Sequence, residues 1–120
     1  MAKVMVVDDA QADLQLMASM LRSAGHQVLL YSQGERVEET VVSERPDLLL
    51  LDIVMPGRNG YDVLRALKKD ERTKRTPVVV VSSKNQESDH AWGRRQGADD
   101  YLGKPFTREQ LLAAVGRFVG

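Results

Sequence analysis

The sequence predicts an α/β domain in three layers, a parallel sheet of five strands with five helices shared between its two faces. Short apolar runs alternate with amphipathic segments along the whole chain, which is the pattern of repeated strand–helix units. The runs are also apolar throughout instead of apolar at every second residue, as strands buried on both faces are. The clearest is Leu48-Leu49-Leu50-Leu51, ended by Asp52 and stopped by Pro56-Gly57.

Taken in order, Val4 to Val7 is a short β-branched run that ends in Asp8-Asp9. Ala10 through Ala24 places Ala10, Leu14, Met17, Ala18 and Leu21 at helical spacing, and Gly25 supplies a left-handed stop. Val28 to Tyr31 reads as the second strand. Gly34 to Ser43 reads as a short helix with Val37 and Val41 inward, although so many valines weaken helical propensity. After the leucine strand, Gly60 starts a helix with Val63, Leu64 and Leu67 inward and Arg65, Lys68 and Lys69 outward. Pro77 leads into Val78 to Val81, the fourth strand, which ends in Ser82-Ser83-Lys84. Gln86 to Gln96 is the weakest helix, with Ala91 and Trp92 its only clear apolar residues and Gly93 interrupting it. Asp99 to Leu102 is a fifth strand running into Gly103-Lys104-Pro105-Phe106. Thr107 with Gln110 forms a capping-box signature, opening a helix that buries Leu111, Leu112, Val115, Phe118 and Val119.

At 120 residues the chain is expected to be one domain, residues 1–120. Lys plus Arg and Asp plus Glu number 17 each, so no net basic field exists for phosphate-backbone binding to nucleic acid. The lack of cysteine excludes disulfides, thiolate metal sites and a cysteine nucleophile. No apolar run approaches the roughly 20 residues of a membrane span, and the start of the chain lacks a signal-peptide pattern. The expectation is a cytoplasmic monomer that does not insert into membranes.

Two strands end in carboxylates, and in open α/β sheets ligands bind beyond the carboxyl ends of the strands. If the first and third strands are neighbours, Asp8, Asp9 and Asp52 meet. Like charges so close either take up protons or recruit a cation. With oxygen donors and no His or Cys at ligand spacing, a hard ion fits, and Mg²⁺ fits best where phosphate oxygens must also be held. The same edge receives the Ser82 hydroxyl and the Lys104 ammonium. A carboxylate acceptor, a metal and donors for the equatorial oxygens are the parts that phosphoryl transfer needs.

These residues, with Met55-Pro56-Gly57, Gly60, Gly97-Ala98-Asp99-Asp100-Tyr101 and Lys104-Pro105-Phe106, resemble the receiver domain of two-component response regulators over essentially the whole chain. The resemblance implies a flavodoxin-like doubly wound sheet of order 2-1-3-4-5. It implies phosphoryl transfer from a cognate histidine kinase to Asp52, with Mg²⁺ held by Asp9, Asp52 and the backbone carbonyl of Val54, and by Asp8 through water. Ser82, Ser83 and Lys104 would stabilise the phosphoryl group, Ser82 and Tyr101 would switch, and Val54 and Lys84 would tune hydrolysis. The Lys104–Pro105 bond is expected to be cis. A partner face of the fourth helix, fifth strand and fifth helix, including Trp92 and Tyr101, would contact a downstream target protein. The segment Ala91 to Ala98 resembles receivers of type IV pilus twitching systems, and the whole chain a stand-alone chemotaxis-like receiver without a DNA-binding domain.

Blander readings stand beside these. Asp9 could cap the first helix, Lys104 could be a surface lysine, Tyr101 a half-buried strand residue, and Trp92 a packing residue; His26 and His90 are expected to be solvated and without a role. The expected molecule is a phosphoacceptor with at most intrinsic autophosphorylation and autodephosphorylation, not an enzyme. Its rivals are a receiver-like interaction module that is never phosphorylated, and a phosphate relay or sink. A phosphatase would want a second acid where Val54 stands, and a flavin protein a phosphate loop where Asp8-Asp9 stand.

Overall fold

The computed structural model describes residues 2–119. Strands β1 (Lys3–Val7), β2 (Gln27–Tyr31), β3 (Leu48–Leu51), β4 (Val78–Ser82) and β5 (Asp100–Gly103) form one parallel sheet in the order β2-β1-β3-β4-β5. Helices α1 (Gln11–Ser23), α2 (Val37–Glu44), α3 (Gly60–Lys69) and α4 (Glu87–Arg95) connect successive strands, and α5 (Arg108–Gly116) follows the last. The fold is therefore the flavodoxin-like one, with the predicted strand order.

Because side chains alternate across a strand, the unbroken apolar runs feed two cores at once. Met5, Val7, Leu49, Leu51, Val78 and Val80 pack with Val37 and Val41 of α2 and Val63, Leu64 and Leu67 of α3. Val4, Val6, Leu48, Leu50, Val79 and Val81 pack on the other side with Leu14, Met17 and Leu21 of α1 and Leu111 and Val115 of α5. Each fully buried aliphatic side chain contributes roughly 1.5–3 kcal/mol of transfer free energy, so the leucine strand, buried along its whole length, anchors both layers. Among the described residues no helix is long and apolar enough to cross a membrane.

Register then places the chemistry. Val7 pairs with Leu51, Leu51 with Val80, and Ser82 with Gly103. The residues that follow or end these strands, Asp8, Asp52, Ser82 and Lys104, are thereby brought to one edge of the sheet.

Four elements differ from the expectation. The second helix starts at Val37, not Gly34, because Arg36 sits at φ 61° and breaks the helical path, while Gly34 is buried with space for a Cβ only about 3.1 Å from Arg58. The last helix ends at Gly116; Phe118 and Val119 follow it and still pack on the core. In α4 the buried residue is Gly93, whereas Ala91 and Trp92 are exposed. A Cβ on Gly93 would lie 2.7 Å from the Tyr101 ring, so the glycine that looks like an interruption is what lets α4 close on β5. Ala10, counted on the buried stripe of α1, is exposed at its N-cap.

Caps fix the helices near this edge. Thr107 and Gln110 form the predicted reciprocal box at α5. At α3 the Asn59 side chain accepts from the Tyr61 N–H at 2.7 Å. Gly60 lies so close beneath the end of β3 that a Cβ would stand 2.4 Å from the Asp52 carbonyl oxygen, which makes glycine obligatory there.

Candidate functional site

Three aspartates meet at the β1 and β3 ends. Asp8, Asp9 and Asp52 each offer a carboxylate oxygen, and these oxygens lie within 4.8 Å of one another. Asp8 is fully buried and Asp52 is 6% exposed, while Asp9 is open to solvent. It is Asp8, not Asp9, that braces the start of α1, its Oδ1 accepting from the Ala10 N–H at 2.9 Å. The N-cap residue of α1 is Ala10 and makes no side-chain cap bond, so Asp9 is free of the capping role.

Asp52 Oδ1 accepts from the Val54 N–H at 3.2 Å, which orients the carboxylate while the Val54 side chain stays half exposed. Burial pushes the Asp52 carboxyl up to about 6; the Lys104 ammonium opposes this, Asp8 adds to it, the Val54 N–H opposes it and Asp9 adds to it. A carboxylate strained in this way gains from any cation placed beside it. The all-oxygen donor set, part buried and part open, fits a hard divalent ion that keeps some water, and Mg²⁺ matches that chemistry.

Lys104 reaches across from the end of β5. Its Nζ donates to Asp8 Oδ2 at 2.7 Å and to Asp13 Oδ2 at 2.8 Å, and stands 3.9 Å from Asp52 Oδ2. Burial works against the Lys104 charge, but the bonds to Asp13 and Asp8 outweigh it and its pKa is raised. The Lys104–Pro105 peptide is cis, as the resemblance implies. Ser82 is fully buried, its Oγ accepting from the Lys84 N–H at 3.1 Å. Ser83 is exposed and lines a groove with Asp13, Leu16, Lys104, Pro105 and Phe106. Val54, Asn59, Tyr61 and Lys84 line a cleft of about 190 Å³ beside the end of β3.

Tyr101 is 5% exposed, and its hydroxyl donates to the Lys84 carbonyl at 2.5 Å. Burial is the main reason its phenol is pushed up to about 12. Trp92 is 49% exposed, on the same helix that closes over Tyr101.

Three residues near the site escaped the sequence reading. Asp13 is one. Arg58 and Glu38 are two more: they form a bidentate pair at 2.5 and 2.6 Å, with Arg58 also bonded to the Gly34 carbonyl, which ties the loop after Asp52 to α2. Their signal is nonlocal, since nothing in sequence brings positions 38 and 58 together. His90, expected to be solvated, is half-buried, with its ring centroid 4.2 Å from that of Tyr101 and Nε2 2.6 Å from Asn85 Oδ1. His26 is also half-buried, its Nδ1 accepting from the Ala2 N–H at 3.3 Å.

Comparison with known proteins adds an independent line. The family model for the response regulator receiver domain matches residues 4–116. Protein PilH of Pseudomonas aeruginosa is 44% identical over 115 residues, 96% of this chain and 95% of that protein. Other relatives are longer, and the chain spans about half their length. The chemotaxis protein CheY4 of Vibrio cholerae superposes with a TM-score of 0.90 at 28% identity, covering 99% of both chains. The receiver domain of sensor histidine kinase PA1611 from Pseudomonas aeruginosa, solved with a magnesium ion coordinated in its active-site cleft, also has a TM-score of 0.90 at 28% identity, covering 99% of this chain and 98% of that one.

Proposed function

Because the chain belongs to the response regulator receiver domain family, we propose that Asp52 is its phosphoacceptor and that the acidic edge of the sheet holds Mg²⁺ while the phosphoryl group arrives. The observation that carries this reading is the convergence of Asp8, Asp9 and Asp52 on one point, with the Lys104 ammonium beside them. An Asp52 carboxylate oxygen attacks the phosphorus of a histidine kinase's phosphohistidine in line. The new O–P bond forms as the P–N bond breaks, and the departing imidazole takes its proton from solvent. Asp8, Asp9, Asp52 and the Val54 carbonyl would hold the ion, which when bound screens the acceptor carboxylate from the phosphoryl oxygens. Lys104, Ser82 and the neighbouring Ser83 supply donors for the charge that spreads over those oxygens.

The output follows from a charge of about −1.5 to −2 added at Asp52. Only contacts that differ between two states shift a population. Ser82 and Tyr101 are the groups placed to differ, because both are tied to Lys84, Ser82 through its backbone N–H and Tyr101 through its carbonyl. Their rearrangement would move α4 against β5 and α5 and present Trp92 to a target protein. The similarity to PilH along nearly its full length, with the Ala91 to Ala98 segment, favours a motility system of the type IV pilus or chemotaxis kind.

Incubation with acetyl phosphate and Mg²⁺ tests the acceptor. Mass spectrometry should find one phosphoryl group on Asp52, absent from Asp52→Asn and absent when EDTA replaces the metal. Labelling elsewhere, or none, overturns the assignment.

A further inference from the structure

The Lys104 ammonium makes two short bonds, and neither goes to the acceptor. Asp8 and Asp13 take them at 2.7 and 2.8 Å, leaving Asp52 at 3.9 Å, beyond hydrogen-bond reach. Asp13 lies in the first turn of α1, where the helix dipole favours its charge. Its side chain is 39% exposed, against 1% for Asp8.

We propose that Asp13 is a positioning residue that holds Lys104 back from Asp52, a latch that opens as a phosphoryl group arrives. The inference rests on the reading of Asp52 as the phosphoacceptor and goes beyond it by assigning a restraint on that reaction. The two contacts to Lys104 are not equal. Breaking the buried one strands a carboxylate that water cannot reach, whereas the Asp13 carboxylate, once released, is solvated. When phosphoryl oxygens compete for the ammonium, the Asp13 contact is therefore the one that yields. Until then it draws the ammonium away from the oxygens whose transition-state charge it would stabilise. The latch slows phosphorylation in the resting protein and costs little once the group is attached.

The experiment compares the intact parent chain with Asp13→Asn, Asp13→Ala and Glu35→Gln. Acetyl phosphate with Mg²⁺ is the donor: its phosphorus gains a bond to an Asp52 oxygen, loses its bond to the acetyl oxygen, and acetate leaves. Glu35 is the control, an exposed acid whose carboxylate lies beside Gly57 in the loop after the acceptor. Removing Asp13 should speed labelling roughly threefold to tenfold, the size of one partly exposed charge contact, while Glu35→Gln changes it little. A ¹⁵N spectrum of the Lys104 ammonium should differ between parent and Asp13→Asn at rest and coincide once beryllofluoride and Mg²⁺ are bound. Unchanged or slower labelling in both Asp13 variants overturns the latch. So does an equal gain in Glu35→Gln, which would mean that removing any nearby negative charge suffices. Ammonium signals that stay apart in the beryllofluoride form also overturn it. A parent that takes no label refutes the reading of Asp52 instead, and the latch falls with it.

Discussion

Ionised Asp52 opposes folding. Its carboxyl is pushed up to about 6, first by burial, so between the ordinary carboxylate range and pH 6 the folded chain binds a proton that the unfolded chain releases. For an acid raised in this way the stabilising contribution is full below the unfolded pKa and is lost as pH rises through the folded one. Asp52→Asn removes that loss. Without metal, the variant should melt higher than the parent at pH 7.5, by an amount on the order of 1–3 kcal/mol for a shift of roughly two pKa units, with the gap closing toward pH 4. Thermal melts in EDTA at both pH values check this, and a gap that is constant with pH would contradict it. Saturating Mg²⁺ should narrow the gap at pH 7.5, since the ion relieves the same repulsion. Two positions along, Val54 is half exposed and apolar, so it offers no donor or acceptor to align an attacking water. Val54→Asn should shorten the lifetime of the phosphorylated form by roughly threefold or more, the effect of a single hydrogen bond of about 0.5–1.5 kcal/mol. Following loss of label after donor removal tests it, and an unchanged or longer lifetime contradicts it.

At the scale of elements, legibility follows the range of the interactions that decide each one. Strands β1, β3 and β4 could be read from their own residues, because burial on both faces writes an unbroken apolar run, whereas the edge strands β2 and β5 are only partly buried. Asp52 was legible for the same reason, as the acid at which such a run ends. The start of α2 was not legible: Arg36 turns out of the helix, and Gly34 is packed under Arg58, a contact between positions far apart in sequence. Asp13 hid in the same way, since on its own helix it is an ordinary first-turn acid and only the end of β5 gives it a partner. The role of Gly93 reverses between the two views, an interruption in sequence and a seat for the Tyr101 ring in space. Gly93→Ala places a methyl carbon where that ring sits. The ring, hinged at its own Cβ, is the part that can move, so the variant should expel Tyr101 from between α4 and β5 and break its bond to the Lys84 carbonyl. Its buried apolar surface should cost on the order of 1–3 kcal/mol of stability. Tyrosine fluorescence quenching by iodide would rise, and a ring as protected as in the parent would refute the argument.

Across the whole molecule, the helices are held unequally. Helices α1 and α3 each bury several apolar side chains between the sheet and solvent. Helix α4 buries only Gly93 among its residues, and is fastened mainly by its cap, by the His90 and Tyr101 rings, and by the Arg94 ion pair with Asp100. Ring contacts and partly exposed ion pairs are worth little beside a row of buried leucines. The element nearest Tyr101 is thus also the one that costs least to displace, which is what a partner-facing helix driven by a distant carboxylate requires. Local opening free energies should reflect this order. Amides in the middle of α4 should exchange with deuterium at least tenfold faster than those in the middle of α1 or α3, a difference of about 1.4 kcal/mol or more. Beryllofluoride with Mg²⁺ should alter exchange in α4 and β5 while leaving β2 and α2 little changed, because among the described residues no hydrogen bond or ion pair runs from the Asp52, Ser82 or Lys104 side chain to either element. Protection of α4 equal to that of α1, or a response spread evenly over the sheet, would mean that the chain moves as one rigid body and that α4 is not the output element.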